Sequence, residues 1–290
     1  MSAFTKIYAA TFKLFKDYPR LILPFFLLFL LQTLALIVLY FSPRLPLRIV
    51  FGPIIRTFWG MRYGNSFLHY PYSFILLPKL VQLSSLALSV FVGALTSGTA
   101  IVMISGIQNK KKADFLSATR LAISKYMYLF IIVVIWAVTL HYTSKLFNLG
   151  LAYLTVFLVK LRIPKLGLII TPLFMIVNFA LTVVIHSLLV YAIPVLIFEK
   201  EKLWKSILKS FSFFKQRWMT TLSFVALPML AYVPFSILLQ KPFSLIDKFF
   251  PEFVAYVILL GIIVNFLFID PLITVSAALF YLSHRKEKQT

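Results

Sequence analysis

The sequence predicts an all-α fold, a polytopic transmembrane helix bundle of about six spans. Hydrophobic residues make up 61% of the 290 residues and charged residues only 13%, whereas an ordinary soluble domain is about 45–50% apolar. The mean hydropathy is +0.95. The charged residues cluster between long apolar runs, which is the pattern that a bilayer imposes. We therefore expect residues 1–290 to form a single integral membrane domain.

Six apolar segments are long enough to cross about 30 Å of hydrocarbon, which takes roughly 20 helical residues. The predicted spans are 21–41, 80–107, 126–147, 166–198, 218–239 and 253–282. A seventh apolar stretch, 146–159, is too short to cross, so we predict an interfacial helix or an extension of the third span. No cleavable signal peptide is predicted, and the first span is expected to act as a signal anchor.

The basic residues predict the orientation of the spans. Alternate connections divide the 29 Lys and Arg residues into 18 on the side of both termini and 11 on the other side. Cytoplasmic loops carry an excess of Lys and Arg. We therefore expect a multi-pass protein of the cell inner membrane with cytoplasmic N- and C-termini.

The connections before the first, third and fifth spans share one pattern: an amphipathic helix, an aromatic residue, then a span. Their apolar stripes are Ile7, Tyr8, Thr11, Leu14 and Tyr18; Phe115, Leu116, Thr119, Ala122 and Tyr126; and Ile207, Leu208, Phe211, Phe214 and Trp218. The stripes predict three interfacial amphipathic helices. The shared register predicts a threefold parallel repeat of units 1–108, 109–200 and 201–290. The alternative is that any connection between spans looks amphipathic.

Several segments match a recurring bacterial pattern. They are 191–199 (YAIPVLIFE), 203–215 (LWKSILKSFSFFK), 271–285 (PLITVSAALFYLSHR) and 106–112 (GIQNKKK). The chain thus resembles the six-helix membrane domain fused to some bacterial glycerophosphodiester phosphodiesterases, and its free-standing, mostly uncharacterised relatives. The resemblance implies the six-helix architecture. It implies no phosphodiesterase activity, because no segment resembles the catalytic barrel and the membrane domain supplies no catalytic residues.

Asp270 is the only acidic residue well inside a predicted span. An ionisable group at that depth is costly, so it is a candidate proton carrier or polar-substrate contact. The structural alternative is that Asp270 caps the N-terminus of a half-helix that starts at Pro271. On that reading the sixth span is broken at this point.

His186 and Asn178 of the fourth span are candidate partners of Asp270 in an intramembrane polar site. With His141 and Asn265 they would line a shared polar path. The alternative is that each of them forms an interhelical hydrogen bond, which contributes about 1 kcal/mol.

Two further segments carry structural predictions. The second span is rich in small residues, including Gly93 and Gly98, which let helix backbones approach closely. We therefore place it near the centre of the bundle, with a cavity lining as the alternative. The aromatic and basic connection 42–79 is expected to lie as a cap on the outer leaflet or, alternatively, to act as a substrate lid.

The sequence argues against several functional classes. It contains no Gly-rich phosphate loop, zinc-protease motif or nucleophile elbow, and no cysteine. We therefore expect no enzyme and no cofactor. The net charge of +21 lies at the ends of apolar spans, which favours membrane lipids, including anionic ones, over nucleic acid as partners.

Two main functional hypotheses remain. The first is a non-enzymatic scaffold or accessory subunit that contacts lipid, a protein partner or a second copy of itself. Its candidate anionic-lipid contacts are Lys202, Lys205, Lys209 and Lys215. The second is a transporter, channel or lipid-translocating protein that uses Asp270 in a broken sixth span. An enzyme acting on lipid is a weaker third hypothesis, because no convergent polar groups are visible.

Overall fold

The computed structural model describes residues 3–109, 114–160, 166–240 and 242–287. The α-helices are α1 (Ala3–Asp17), α2 (Leu23–Phe41), α3 (Leu47–Phe67), α4 (Ser73–Leu88), α5 (Ala94–Gln108), α6 (Phe115–Ser124), α7 (Tyr126–Lys160), α8 (Gly167–Leu189), α9 (Ala192–Phe198), α10 (Leu203–Gln216), α11 (Trp218–Leu230), α12 (Val233–Leu239), α13 (Pro242–Lys248), α14 (Phe253–Val264) and α15 (Asp270–Glu287). The described residues contain no β-strand, which confirms the predicted all-α fold.

Five stretches of helix are long and apolar enough to cross a membrane. They are span 1 (Pro19–Phe41), span 2 (Ser73–Gln108), span 3 (Tyr126–Leu158), span 4 (Pro172–Phe198) and span 6 (Phe253–Arg285). Helices α11 and α12 together form span 5, which is bent by 49°. The chain is therefore a multi-pass α-helical membrane protein, with six spans when the bent pair is taken as one.

The bend in span 5 has a local cause in the sequence. Helix α11 ends at Leu230, and α12 carries Pro234 in its first turn. A proline has no N–H, and its ring crowds the carbonyl group four residues earlier. That carbonyl belongs to Leu230, so the helix ends there and resumes in a new direction.

Two spans are longer than predicted. Helix α7 runs without interruption from Tyr126 to Lys160, so 146–159 is an extension of span 3 and not a separate interfacial helix. Helix α4 begins at Ser73, ahead of the predicted start of span 2 at residue 80. Lys79 does not end the span, because a lysine can bury its stem and still direct its ammonium group to the interface.

Span 2 lies at the centre of the bundle, as predicted. Within its apolar window 56% of residues are buried, against 17–50% in the other four unbent spans. Gly98 shows how closely span 3 approaches, since a Cβ atom at Gly98 would lie 2.5 Å from Cδ1 of Leu129. The small residue Gly98 of span 2 thus serves close helix packing, while Ser89, Gly93 and Ser97 line a cavity.

Each amphipathic helix packs against the end of a span from the preceding unit. Helix α6 packs on α5 of span 2, α10 packs on α8 and α9 of span 4, and α1 packs on α15 of span 6. The pattern is cyclic, because the first unit contacts the last. It agrees with the threefold repeat, which stays a prediction.

The buried faces of these helices agree with the predicted stripes only in part. The stripe members Ile7, Thr11, Ala122 and Ile207 are buried, but so are Ala118, Ser206 and Ser210, which lie outside the stripes. Two long members of the stripes point outward, since Leu116 is 74% and Leu208 is 64% exposed. Small residues allow close approach to the spans, and the long apolar side chains are left for acyl chains.

The connection between spans 1 and 2 lies on the side of the bundle opposite the amphipathic helices. Most of it is helical. Helix α3 fills most of it and is kinked at Gly60, where φ is 76°. Residues other than glycine rarely adopt this left-handed region. Ile49 and Met61 are exposed on α3, which suits a position in the interface. The cap and the lid both stay hypotheses for this segment.

Candidate functional site

A cavity of about 130 Å³ lies between spans 2, 3, 4 and 6. Seven of its wall residues are aliphatic: Ile101, Ile132, Val133, Leu189, Val190, Ile193 and Ile273. The polar groups in the wall come from Ser89, Ser97, Trp136, His186, Asp270 and Thr274. The volume is close to the roughly 150 Å³ of a cavity that accepts a benzene-sized ligand. Four separate spans thus contribute polar groups to one small space.

Asp270 lies in a continuous helix and not at a helix break. Its backbone is helical, with φ −59° and ψ −46°, and its N–H donates to the carbonyl of Asn265 across the π turn Asn265–Ile269. The prediction of a half-helix capped by Asp270 is therefore wrong. Pro271 needs room at the carbonyl of Leu267, and the wider π turn provides it without ending the helix.

The carboxyl group of Asp270 lines the cavity and has no partner in the described part of the chain. No described residue forms a hydrogen bond or an ion pair with it. It is the only one of the eight acidic residues that lies within a span. A polar group at this depth costs free energy unless a proton, water or ligand satisfies it.

His186 and Trp136 form another part of the cavity wall. Their rings meet edge to face, with centroids 5.3 Å apart and an interplanar angle of 88°. The Nε1 atom of Trp136 is buried and has no hydrogen-bond acceptor among the described residues. This N–H is not open to a ligand in the cavity, because its nitrogen is buried. Sequence analysis missed Trp136, because only the fold brings span 3 beside span 4 here.

Three other predicted members of the polar path lie elsewhere. Asn178 precedes His186 by two helical turns, roughly 12 Å along the helix, and is not part of the cavity wall. Its Oδ1 atom is buried without a partner among the described residues. His141 is exposed beside Tyr142, and Asn265 lines a separate groove. Of the candidate intramembrane site, the cavity joins only Asp270 and His186.

The cavity combines acceptor and donor groups in an otherwise apolar wall. Asp270 provides carboxyl oxygens, and Thr274 provides a hydroxyl group. Within the described ranges, no three His, Cys, Asp or Glu side chains converge in a way that could hold a metal ion. The chemistry of the cavity suits a small polar solute that donates hydrogen bonds to Asp270.

A second polar cluster lies on the amphipathic-helix side, where span 4 ends beside α10. The ammonium group of Lys209 forms ion pairs with Glu199 and Glu201, the second at 2.7 Å. The hydroxyl group of Tyr281 donates a hydrogen bond to Glu199. Glu199 therefore connects span 4, α10 and span 6.

The second cluster joins the segments that carry the family resemblance. Besides the contacts of Glu199, the guanidinium of Arg285 donates to the carbonyl of Phe198 at 3.0 Å. Segments 191–199, 203–215 and 271–285 therefore meet at one place. Residues 110–112 of the remaining segment lie outside the described residues.

The charges of the second cluster balance one another. Burial would raise the pKa of Glu199, but hydrogen bonds from Lys209 and Tyr281 outweigh it and hold that pKa below its ordinary value. The hydrogen bonds to Glu199 and Glu201 raise the pKa of Lys209. Lys209 is thus engaged by two carboxylates, which weakens the prediction that it contacts anionic lipid.

The other three lysines that are predicted to contact anionic lipid differ from Lys209 in their surroundings. Lys202, Lys205 and Lys215 are exposed and form no ion pair with a described residue. They lie at both ends of α10 and along it. Their contact with anionic lipid stays a prediction.

The fold and the cavity define the chain as a multi-pass α-helical membrane protein with a polar site among its spans. Comparisons with protein families, with curated proteins and with solved structures find no match.

Proposed function

We propose that the chain is a non-enzymatic transport protein of the cell inner membrane that binds a small polar solute at Asp270. The observation that supports this most directly is the carboxyl group of Asp270, which lines a cavity among four spans and lacks a partner among the described residues. Ionisable groups at hydrocarbon depth typically belong to solute or proton pathways. The excess of Lys and Arg on one side supports cytoplasmic termini.

The first experiment measures solute-dependent stabilisation of the purified protein in detergent. Small ammonium, guanidinium, amide and polyol compounds are screened by thermal unfolding, and active compounds are tested for counterflow in proteoliposomes. A ligand at 100 times its dissociation constant stabilises the folded state by about 2.7 kcal/mol. We therefore expect a clear rise in Tm for the wild type and little or none for Asp270→Asn.

The matched control is Asp247→Asn, which makes the same change at an exposed residue of α13, outside the cavity. This variant should keep both the Tm rise and the counterflow. The proposal is wrong if Asp270→Asn responds like the wild type, or if neither a solute of the panel nor protons cross the membrane in a protein-dependent manner.

The scaffold hypothesis is kept as a second candidate because of the outer face of α10. Trp204, Leu208 and Phe211 are exposed at helical spacing, and Lys215 follows on the same face. Apolar side chains beside cations suit the boundary between acyl chains and anionic headgroups. Each Lys near an anionic leaflet contributes on the order of 1 kcal/mol. A protein partner or a second copy of the chain could also cover this face.

A lipid-dependent measurement tests this second candidate. We expect anionic phosphatidylglycerol to raise the Tm of the detergent-solubilised protein more than zwitterionic phosphatidylcholine does. The triple variant Lys202→Gln, Lys205→Gln, Lys215→Gln should lose most of that difference. Its control is Arg44→Gln, Lys160→Gln, Lys248→Gln, on the opposite side of the membrane. An equal loss in both triple variants contradicts a specific role for α10.

The relation to the membrane domain of bacterial glycerophosphodiester phosphodiesterases also stays a proposal. The contacts of Glu199 with Lys209 and Tyr281 support it only in one respect. Through these contacts, the segments that carry the resemblance hold span 4, α10 and span 6 together.

A further inference from the structure

A second hollow lies in the half of the membrane opposite the amphipathic helices. It is a groove of about 500 Å³ between spans 2, 5 and 6, next to the bend in span 5. The polar groups in its wall include Gln82, Ser85, Tyr232, Ser236, Gln240 and Asn265. The groove is thus as rich in polar groups as the cavity at Asp270.

Three polar side chains of the groove are not satisfied by the described residues. Gln82, Ser236 and Asn265 form no side-chain hydrogen bond with any described residue. Acyl chains offer neither donors nor acceptors, so amide and hydroxyl groups at this depth favour water or a polar solute as neighbours. We therefore take water as the occupant of the groove.

Span 2 carries one line of residues along both hollows. Gln82 and Ser85 lie in the groove wall, and Ser89, Gly93 and Ser97 lie in the cavity wall. Each follows the previous one by three or four residues, which keeps all five on one face of the helix. The groove ends one helical turn, about 6 Å, before the cavity begins.

Span 6 repeats this arrangement on the facing side. Asn265 lies in the groove wall, and Asp270 and Thr274 lie in the cavity wall. The step from Asn265 to Asp270 is five residues, but it crosses the π turn Asn265–Ile269. A π turn takes up an additional residue, so the polar face of span 6 is continued across it.

Both helices have a π turn at the junction between the two hollows. In span 2 it is Ser89–Gly93, and in span 6 it is Asn265–Ile269. Such turns are rare and occur frequently at functional sites. Both turns here lie beside the boundary between the groove and the cavity.

Two buried apolar side chains lie beside the junction between the groove and the cavity. Phe266 lies in the wall of the groove. Leu28 of span 1 approaches the cavity wall, since its Cδ2 atom would lie 3.6 Å from a Cβ atom at Gly93. Both residues are buried and belong to one apolar cluster.

We propose that the groove and the cavity are two halves of one polar path across the membrane, closed between them by Leu28 and Phe266. The two π turns are the points at which spans 2 and 6 adjust when the path opens. This inference rests on the proposed transport function, because a path matters only if a solute moves along it. The solute class is unchanged: small, polar and able to donate hydrogen bonds.

The test is thiol labelling, for which the chain is well suited because it has no cysteine. Single variants report on the groove (Gln82→Cys, Asn265→Cys), on the cavity (Ser97→Cys, Thr274→Cys) and on the exposed apolar surface of the same spans (Leu83→Cys, Leu260→Cys). Right-side-out and inside-out vesicles of the full chain are treated with a water-soluble, membrane-impermeant maleimide. Thiolates react only where water reaches them.

From the side opposite the amphipathic helices, we expect the groove cysteines to react at least tenfold faster than the surface controls, and the cavity cysteines to be protected. Adding Phe266→Ala should speed labelling of Ser97→Cys from that side by at least tenfold. Leu28→Ala serves the same purpose if Phe266→Ala does not fold. Groove cysteines that react no faster than Leu83→Cys overturn the proposal, and so do cavity cysteines that stay protected in both variants.

The labelling experiment is separate from the test of the proposed function. Solute binding that depends on Asp270, together with a groove that does not label, would refute the path and leave the binding site standing. Labelling with the expected pattern, but without solute-dependent stabilisation, would refute the binding site and leave a water-filled path.

Discussion

Thr11 of the first helix and Ser276 of the last span share a buried hydrogen bond, with their hydroxyl oxygens 3.0 Å apart. Both residues are fully buried. The Thr11 hydroxyl also donates to the carbonyl of Ile7 at 2.9 Å, so Ser276 is the donor in the shared bond. Nearby, the hydroxyl group of Tyr8 donates to the carbonyl of Phe224 in span 5. Helix α1 is thus part of the packed bundle.

Thr11→Val should therefore destabilise the protein. Valine keeps the shape of threonine but leaves the buried hydroxyl of Ser276 without its acceptor, which costs about 1–3 kcal/mol. We expect a lower Tm in detergent. Thr139→Val is the control, because the hydroxyl of Thr139 is exposed and bonds only to Ile135 in its own helix. A similar loss of stability in both variants would show that the contact with Ser276 is unimportant.

Gly98→Ala should also lower stability, by about 1–3 kcal/mol, because an added methyl group overpacks the contact with the fully buried Leu129. Gly150→Ala is a matched control in α7, where a Cβ atom meets nothing within 4 Å. Alanine has the higher helix propensity, so this control should keep or raise the Tm. If both variants unfold at the wild-type temperature, the close approach of spans 2 and 3 is not required for stability.

Gln32 and Ser85 should show a measurable coupling between spans 1 and 2. The Ser85 hydroxyl donates to Oε1 of Gln32 at 2.8 Å, and Nε2 of Gln32 donates to the Ser85 carbonyl at 3.2 Å. Interhelical bonds in membranes average about 0.6 kcal/mol and reach about 1.7. A double-mutant cycle with Gln32→Leu and Ser85→Ala should give a coupling in that range. The same cycle with Ser84→Ala should give none, since Ser84 bonds to Val81 of its own helix.

Acidification should loosen the contact of span 4 with α10. The pKa of Glu199 in the folded protein lies below its ordinary value of 4.5. The contribution of Glu199 to stability is therefore full above pH 4.5 and is lost as the pH falls through the lowered pKa. Because Lys209 is partly exposed, we expect no more than about 1 kcal/mol. The measurement is the Tm of the wild type and of Glu199→Gln between pH 7 and pH 3.

Glu199→Gln should remove part of the pH dependence, because glutamine does not titrate in this range. Asp247→Asn is the control, since Asp247 is exposed and forms no ion pair with a described residue. Its Tm profile should follow that of the wild type. Parallel profiles for the wild type and Glu199→Gln would mean that the ion pair with Lys209 does not stabilise the fold.

Sequence patterns predict the elements better than the contacts between them. A run of about 20 apolar residues is a local property, so hydropathy alone places the spans and separates Asp270 from the other acids. Trp136 and Gln32 escape notice because each gains its role from a residue on another span. The sequence 270–271 reads equally well as a helix start or as a helix interior. Only the π turn before it, a feature of the backbone, decides between them.

The small side chains of the amphipathic helices are a second case in which the sequence pattern does not predict the contact. Ser206 and Ser210 look like members of a polar outer face, since serine is polar and its neighbours are lysines. In the structure they are buried against span 4, and the hydroxyl of Ser210 donates to the carbonyl of Leu188 at 2.6 Å. Size matters more than polarity at this contact, because close helix approach needs small residues.

The bond between Thr11 and Ser276 also has a consequence for biosynthesis. The two residues are 265 positions apart in the sequence, so at about 5–20 residues per second the ribosome makes the docking surface of α1 tens of seconds after α1 itself. During that interval α1 cannot pack against the last span, so its apolar face must contact something else. Its apolar face gives it affinity for the headgroup boundary, which would keep the newly made helix on the membrane until the last span arrives.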